Sequence, residues 1–461
     1  MPIFAYMKDF EDFIIKNAGA DTARLTLSTK TWPIADVEGL ESIPPRDLAV
    51  NTIEARRKLR KKVPEWWANS SLVYPTALCA EQCSSTETAS YKAALARRVI
   101  LGDADTERVP SNEGHALEGK SGKIIADLTG GLGIDSAAFS TVAGKVLYNE
   151  MNPCLAAAAR HNFTALGIKN ILVSNQEITT ETLPGVIGEL SPDMIFLDPA
   201  RRSAKGNKVF LLEDCAPNVL ELIPALFSLS RNILLKLSPM ADLSMVTERL
   251  NRSYETHLDT RENKGWNGNW VREIHVVAVG GECKELWVWL DKDFNGSTST
   301  ICREDGNILA FNSGEIKSAR AALPSSDYLR YVFEPGKSLA KAGALNAICG
   351  RLGLVKLGIF THLYTFAEPL AENEAEERAA TLRPYGKFFK VKGVMPLDKA
   401  SMKEVRKRYP KSEVSAKNIP LSSEELRSRL GVTSGNDAMI FGAKVELPTS
   451  ARNYLIICDT R

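Results

Sequence analysis

The chain begins with apolar residues recurring every three or four positions, as in "MKDFEDFIIKNA", and with Ala-rich stretches such as "ETASYKAALARRVILG". Prolines at 33, 44, 45, 64 and 75 break the pattern, which predicts an N-terminal helical domain over residues 1–105. From about residue 119 the period changes. Short apolar runs, "GKIIADL", "KVLYNE", "NILVSN", "DMIFLDP" and "NILLKLSP", alternate with helical stretches, so parallel strands with crossover helices are expected over 106–290. "VREIHVVAV" and "ECKELWVWL", joined by Gly280 and Gly281, read as a closing antiparallel hairpin. The polar segment from 291 to about 325 reads as a connection into a small mixed unit that ends by 385. Within that unit the acidic stretch "AEPLAENEAEERAATLRP" reads as an exposed loop, and a last mixed unit fills 386–461. The fold class is α/β: a Rossmann-like sheet between an N-terminal helical region and small C-terminal α+β domains.

Composition adds little until charge is placed along the chain. With 461 residues, 44% hydrophobic and 25% charged, the sequence supports several packed domains. Net charge is only +2, yet residues 381–461 carry 16 Lys and Arg against 8 Asp and Glu. That segment is the candidate for meeting a polyanion. A second basic run, "ARRKLRKKVPEWW", reads as a solvated helix end followed by core aromatics rather than a nucleic-acid contact. The eight cysteines form no CxxC pair and none lies near a His at ligand spacing, so no metal site is expected. No run approaches 18 apolar residues and the N-terminus lacks the pattern of a signal peptide. A cytoplasmic protein with reduced thiols and no membrane partner is the expectation.

The candidate chemistry begins with "ADLTGGLGIDS". A strand ending near Asp127 and Leu128, then Thr129, Gly130, Gly131 and Gly133, allows a tight turn and close approach of a ligand to bare backbone. The dinucleotide pattern G-x-G-x-x-G fails, because counting from Gly131 its third position is Ser136. A phosphate loop fails too, since no Lys follows. Glu150, at the tip of the second strand, is placed to accept the hydroxyls of a ribose. Asn175 and Gln176, after the third strand, either bind the edge of an adenine or are ordinary turn residues. The fourth strand runs into Asp198 and Pro199, which aim a carboxylate and backbone carbonyls into the cleft above the sheet. Arg201, Arg202 and Lys205 follow and are candidates to clamp phosphate oxygens.

Taken in order, these residues resemble the class I S-adenosylmethionine-dependent methyltransferases, whose parallel sheet also ends in a hairpin. More narrowly the chain is similar to bacterial methyltransferases with a D-P-A-R motif, a ferredoxin-like piece and a C-terminal THUMP-like domain. The passages that carry this are "EQCSSTETASYKA", "ADLTGGLGIDS", "YNEMNP", "FLDPARR", "LKLSPM", "FEPGKSLAKAGA", "GKFFKVKGVMP" and "SSEELRSRLGV". The resemblance places Asp127, Gly130, Gly131, Gly133 and Glu150 on cofactor-binding motifs and Asp198 to Arg202 on the substrate-facing motif. "DPAR" lacks the aromatic of the DPPY motif that stacks on a target base, and Asn175 stands where many relatives carry an acid.

The resemblance implies in-line transfer of a methyl group from the sulfonium, with the protein positioning nucleophile and donor. Asp198 and the Pro199 carbonyl would orient an acceptor nitrogen. Covalent catalysis is not expected, because Cys154 follows the wrong strand and Cys215 falls, on this reading, too far into the next helix. THUMP-type domains are associated with RNA, and "KASMKEVRKRYPK" places Lys403, Arg406 and Lys407 on one helical face for phosphate contacts. Structured RNA, tRNA or ribosomal, is therefore the expected substrate. The other readings are an RNA-binding protein that keeps the fold without transfer, and a small-molecule or protein methyltransferase.

Overall fold

The apolar run "MIFL" becomes a strand buried on both faces: no residue of β4 (Met194–Leu197) is more than 1% exposed. The computed structural model describes residues 3–102, 122–201, 212–255, 268–325, 329–368 and 370–460. The chain divides into two units, Met1–Arg272 with Trp287–Gly296, and Glu273–Leu286 with Ser297–Arg461.

In the first unit β1 (Ile124–Asp127), β2 (Lys145–Asn149), β3 (Ile171–Ser174), β4 and β7 (Asn232–Leu237) are all parallel, in the order β3-β2-β1-β4-β7. Two residue pairs, β5 (Ala200–Arg201) and β6 (Cys215–Ala216), bridge antiparallel beyond the end of β4. β8 (Val271–Val279) and β9 (Glu282–Asp291) form the expected hairpin, with Gly280 and Gly281 both at positive φ, and β9 adjoins β7. The division between the units runs through this hairpin.

The N-terminal helices do not close a core of their own, so the expected boundary near 105 separates no cores. Leu59, Val63, Trp66 and Tyr74 pack in one cluster with Leu132, Ile134, Tyr148 and Phe163 of the sheet layer. Phe10, Ile14 and Leu48 pack with Ala157 and Ala158 in another. The basic run folds back on its own surroundings: Arg56 donates to the Asn69 carbonyl, Lys58 pairs with Glu81 at 2.8 Å, and Trp66 is buried.

In the second unit the polar segment expected to be a connection forms a hairpin, β10 (Ser299–Glu304) and β11 (Asn307–Asn312). Its turn is Asp305-Gly306, both at positive φ, the conformation that Asp-Gly accepts most readily. The stretch expected to be an acidic loop is a helix, Glu372–Leu382. Ala375, Ala379 and Leu382 give it a narrow buried stripe, and Glu372 and Glu374 sit in its first turn, where the helix dipole favours acids.

β12 (Tyr331–Pro335), β13 (Leu354–Gly358), β14 (Thr361–Phe366), β15 (Gly386–Pro396), β16 (Lys411–Lys417), β17 (Thr433–Leu447) and β18 (Ser450–Cys458) make one sheet, ordered β13-β14-β12-β15-β18-β17-β16. The long β15 joins its halves, pairing with β12 through Gly386–Lys390 and with β18 through Val391–Pro396. The "EPGKS" passage is not an anion site. The Glu304 carboxylate accepts from Lys337 N and Ser338 N at 3.1 and 2.8 Å, and a Cβ on Gly336 would lie 2.3 Å from it.

Candidate active site

The expected cofactor and acceptor residues of the first unit converge at the carboxyl ends of β1, β2, β3 and β4. Asp127 is fully buried; its carboxylate accepts from Ser136 Oγ at 2.5 Å and from Thr129 N at 3.2 Å. Burial pushes this carboxyl up to about 7, against the pull of those two donors. Asp127 therefore shapes the turn from beneath. Gly130 N donates to the Asn149 carbonyl at 2.7 Å, and a Cβ there would strike the Tyr148 ring at 2.1 Å. Gly133, at φ 91°, has no more room, since a Cβ would meet Phe163 at 2.6 Å. Gly131, at φ 54°, differs: nothing lies within 4 Å of the place its Cβ would take. The glycine turn is thus packed against rings on either side and open in the middle.

Beside that opening, Glu150 accepts from Gly131 N at 2.9 Å with one carboxylate oxygen and from Asn152 N at 2.8 Å with the other. Two backbone donors fix the carboxylate and leave lone pairs for hydroxyl groups. The Asn175 amide nitrogen donates to the carbonyls of Glu150 and Met151 at 2.6 and 3.1 Å, strapping that loop. Gln176 is anchored through its backbone, which exchanges hydrogen bonds with the buried Asn149 side chain.

At the end of β4, Asp198 N donates to Thr129 Oγ1 at 2.6 Å, which ties the glycine turn to that strand. Asp198 Oδ2 lies 2.6 Å from Lys236 Nζ, and 37% of the Asp198 side chain stays exposed. Burial raises the Asp198 carboxyl above the usual carboxylate range and the Lys236 ammonium opposes it. Behind this pair lies a group of charges that the residue-by-residue reading did not assign. Ser84 Oγ receives hydrogen bonds from Lys92 Nζ at 2.6 Å and Lys236 Nζ at 3.3 Å and donates to Asp135 at 2.8 Å. Lys92 Nζ also meets Asp135 at 2.7 Å and lies over the rings of Phe196 and Trp287, at 5.6 and 5.5 Å from their centroids. Two ammoniums and the Asp135 carboxylate thus share one hydroxyl, and Lys236 carries the network on to Asp198, in a site where unpaired charge would be costly. A Lys inside the apolar strand "NILLKLSP" was the available signal, because a buried charge demands a partner.

Pro199 follows Asp198 directly, and Arg201 lies in the β5 bridge. Arg202 and Lys205 lie outside the described residues. Cys215 is not in a helix: it sits in β6, paired with Arg201 next to the Asp198 segment, but it is fully buried and presents no nucleophile. Cys154 opens the helix Pro153–Ala165. Lys403, Arg406 and Lys407 are exposed on the helix Lys399–Arg408 of the second unit. Among the described residues no group of three or more His, Cys, Asp or Glu is placed to hold a metal, and no helix is long and apolar enough to cross a membrane.

Comparison with known proteins agrees with this architecture. Residues 386–460 match the THUMP domain-like family and residues 331–372 a ferredoxin-like domain family. The crystal structure of a Porphyromonas gingivalis W83 protein, provisionally assigned as a methyltransferase, superposes with a TM-score of 0.74 at 28% identity, covering 98% of both chains. Two uncharacterised S-adenosylmethionine-dependent methyltransferases from two Mycobacterium tuberculosis strains are each 27% identical over 175 residues, 38% of this chain. That match spans 40% of the length of those curated relatives.

Proposed function

We propose that this chain, a class I methyltransferase fold carrying a C-terminal THUMP-like domain, transfers a methyl group from S-adenosylmethionine to a base in structured RNA, tRNA or ribosomal. The observation that carries the reading is the pairing, over one end of one sheet, of a fixed Glu150 beside the open Gly131 with a half-exposed Asp198. The site fits the donor. Gly131 offers bare backbone with free space above it, and Glu150 is held where ribose hydroxyls can donate to it. When bound, S-adenosylmethionine supplies an electrophilic methyl on a sulfonium.

The protein's own part is positional. Asp127, Thr129 and Asn149 fix the turn and its distance to β4. Asp198 accepts a hydrogen bond from the acceptor's N–H, with the Pro199 carbonyl beside it, and so directs the nitrogen lone pair. Lys236 favours the ionised form of Asp198, the form that accepts. The RNA half of the reading rests on the THUMP-like match, the excess of Lys and Arg over residues 381–461, and the exposed Lys403, Arg406 and Lys407.

Two measurements test the two halves. Calorimetry should show S-adenosylmethionine binding that Glu150→Ala abolishes; equal binding by the variant would remove Glu150 from the donor pocket. Total RNA from a deletion strain, digested to nucleosides and compared by mass spectrometry with its parent, should lack one methylated nucleoside. An unchanged nucleoside profile with intact cofactor binding would point to a small-molecule or protein acceptor instead.

A further inference from the structure

Among the described residues of the second unit, Ile359 and Phe360 are the only exposed large apolar side chains, at 60% and 71% accessibility. They form the tip of the β13–β14 turn, and that tip is built rather than loose. Lys356 Nζ donates to the Ile359 carbonyl at 2.6 Å, Ile359 N donates to Glu446 at 2.8 Å, and Thr361 Oγ1 donates to the Lys444 carbonyl at 2.7 Å. Gly358 is pressed so close that a Cβ would lie 2.9 Å from Thr361 Oγ1 and 3.2 Å from the Lys444 carbonyl. Strand β17 thus clamps the tip from one side and Lys356 from within. Exposing an ordered aromatic ring forgoes the gain of burying it, so the fold keeps it out at a cost.

We infer that Phe360 is a stacking platform for one unpaired base of the RNA substrate, with the cations around the tip receiving the flanking phosphates. The inference rests on the RNA reading above and adds a contact outside the transfer site. Lys417 and Lys444 are the cations beside the tip, Lys356 being buried beneath it; Glu334 and Glu446 are the acids that face it, and each is tied to one of these two lysines, at 2.6 Å to Lys417 and 2.7 Å to Lys444. His362, beside Phe360, is held below its ordinary value by burial and by the Lys356 and Lys417 charges. Size decides among occupants. Two side chains offer a few hundred Å² at most, well short of the roughly 1,000 Å² that a specific protein interface needs. One aromatic face amid cations matches a single base and its backbone. Because the tip is already ordered, little conformational entropy is lost when a base stacks on it.

The test uses the full chain and two fluorescein-labelled RNA hairpins, identical except that one carries a short single-stranded tail. Fluorescence anisotropy should show tighter binding of the tailed hairpin by the wild type. Phe360→Ala should weaken that binding roughly five- to hundredfold while leaving the blunt hairpin unchanged, and Phe360→Trp should restore it. Equal binding of the tailed hairpin by wild type and Phe360→Ala overturns the stacking role and leaves the RNA reading intact. Failure of the wild type to bind either hairpin overturns the RNA reading and the platform together. A dimer by light scattering that Phe360→Ala converts to monomer would assign the tip to a second copy of the chain, against the proposal.

Discussion

Replacing Asp127 with Asn removes the carboxyl that burial holds near 7, well above its ordinary 3.8. In the unfolded chain an Asp releases its proton near that ordinary value, whereas the native Asp127 keeps it until about pH 7. The native state therefore holds the extra proton across that window, and stability falls as pH rises from about 4 to about 7, then levels off. At about 1.4 kcal/mol per unit the difference amounts to roughly 4 kcal/mol. Asn keeps an acceptor for Thr129 N and turns its amide toward Ser136 Oγ, which must then accept. Weakening of these two bonds when the carboxylate becomes an amide returns about 1–2 kcal/mol of that gain. The expected outcome is a variant about 2–3 kcal/mol more stable than the wild type at pH 8 and no more stable at pH 4, a midpoint difference of roughly 5 °C at the upper end. Thermal unfolding followed by circular dichroism over that range measures it. If the two midpoints stay a constant distance apart at every pH, the buried carboxyl is not the source of the pH dependence.

Three further outcomes follow from the same geometry. Lys236→Met leaves burial as the main influence on Asp198, so its carboxyl rises further. Activity that needs the carboxylate is lost as pH falls, and the acidic limb of kcat/KM should move up by about one unit, read by labelled methyl incorporation into RNA from the deletion strain; an unmoved limb would dismiss Lys236 as a positioning residue. Gly130→Ala drives a methyl into the Tyr148 ring at 2.1 Å and should cost about 1–3 kcal/mol together with cofactor binding in calorimetry. Gly131→Ala meets no atom and should cost only about 1 kcal/mol for its positive φ, so equal losses in the two would contradict the packing described. Replacing Lys403, Arg406 and Lys407 with Ala should lower the slope of log affinity against log salt by roughly 0.7–0.9 for each phosphate contact removed, and an unchanged slope would place the RNA elsewhere.

The strand pattern of the first unit could be read because its central parallel strands, β1, β4 and β7, are largely buried on both faces, which writes an apolar run of the right length into the sequence. The glycine turn and Glu150 were legible for a related reason: both follow from chain geometry at a strand end. Legibility failed where local polarity hid a regular element. "STICREDGNILAFN" contains an Asp-Gly turn between two apolar-bearing runs, but the surrounding Ser, Thr and Asn suggested a connection. In Glu372–Leu382 the buried stripe is only Ala375, Ala379 and Leu382, too small in side-chain volume to outweigh four acids as a visible period. At Asn175 residue type marks a candidate for base contact but does not show which way the amide turns. Its two donors are spent on the backbone of residues 150–151.

The charge cluster behind Asp198 was the least legible feature, and its makeup explains why. Its members come from four places along the chain: Ser84 and Lys92 from the N-terminal helices, Asp135 after the glycine turn, Asp198 at β4 and Lys236 in β7. No spacing links them, and a lysine in a helical pattern such as "ETASYKAALARRV" ordinarily reads as a solvent-facing charge. In the fold that lysine is wholly buried between two aromatic rings. Burial of four charges without matched partners would cost several kcal/mol each, so the set is tolerable only when complete. Completing it requires the N-terminal segment to dock on the sheet. That segment also covers Leu132, Ile134, Tyr148 and Phe163, the side chains that support the glycine turn from below. The N-terminal helices are therefore part of the structure that sets the distance between Glu150 and Asp198, because they fix both the floor of the turn and the partner network of the Asp198 carboxylate.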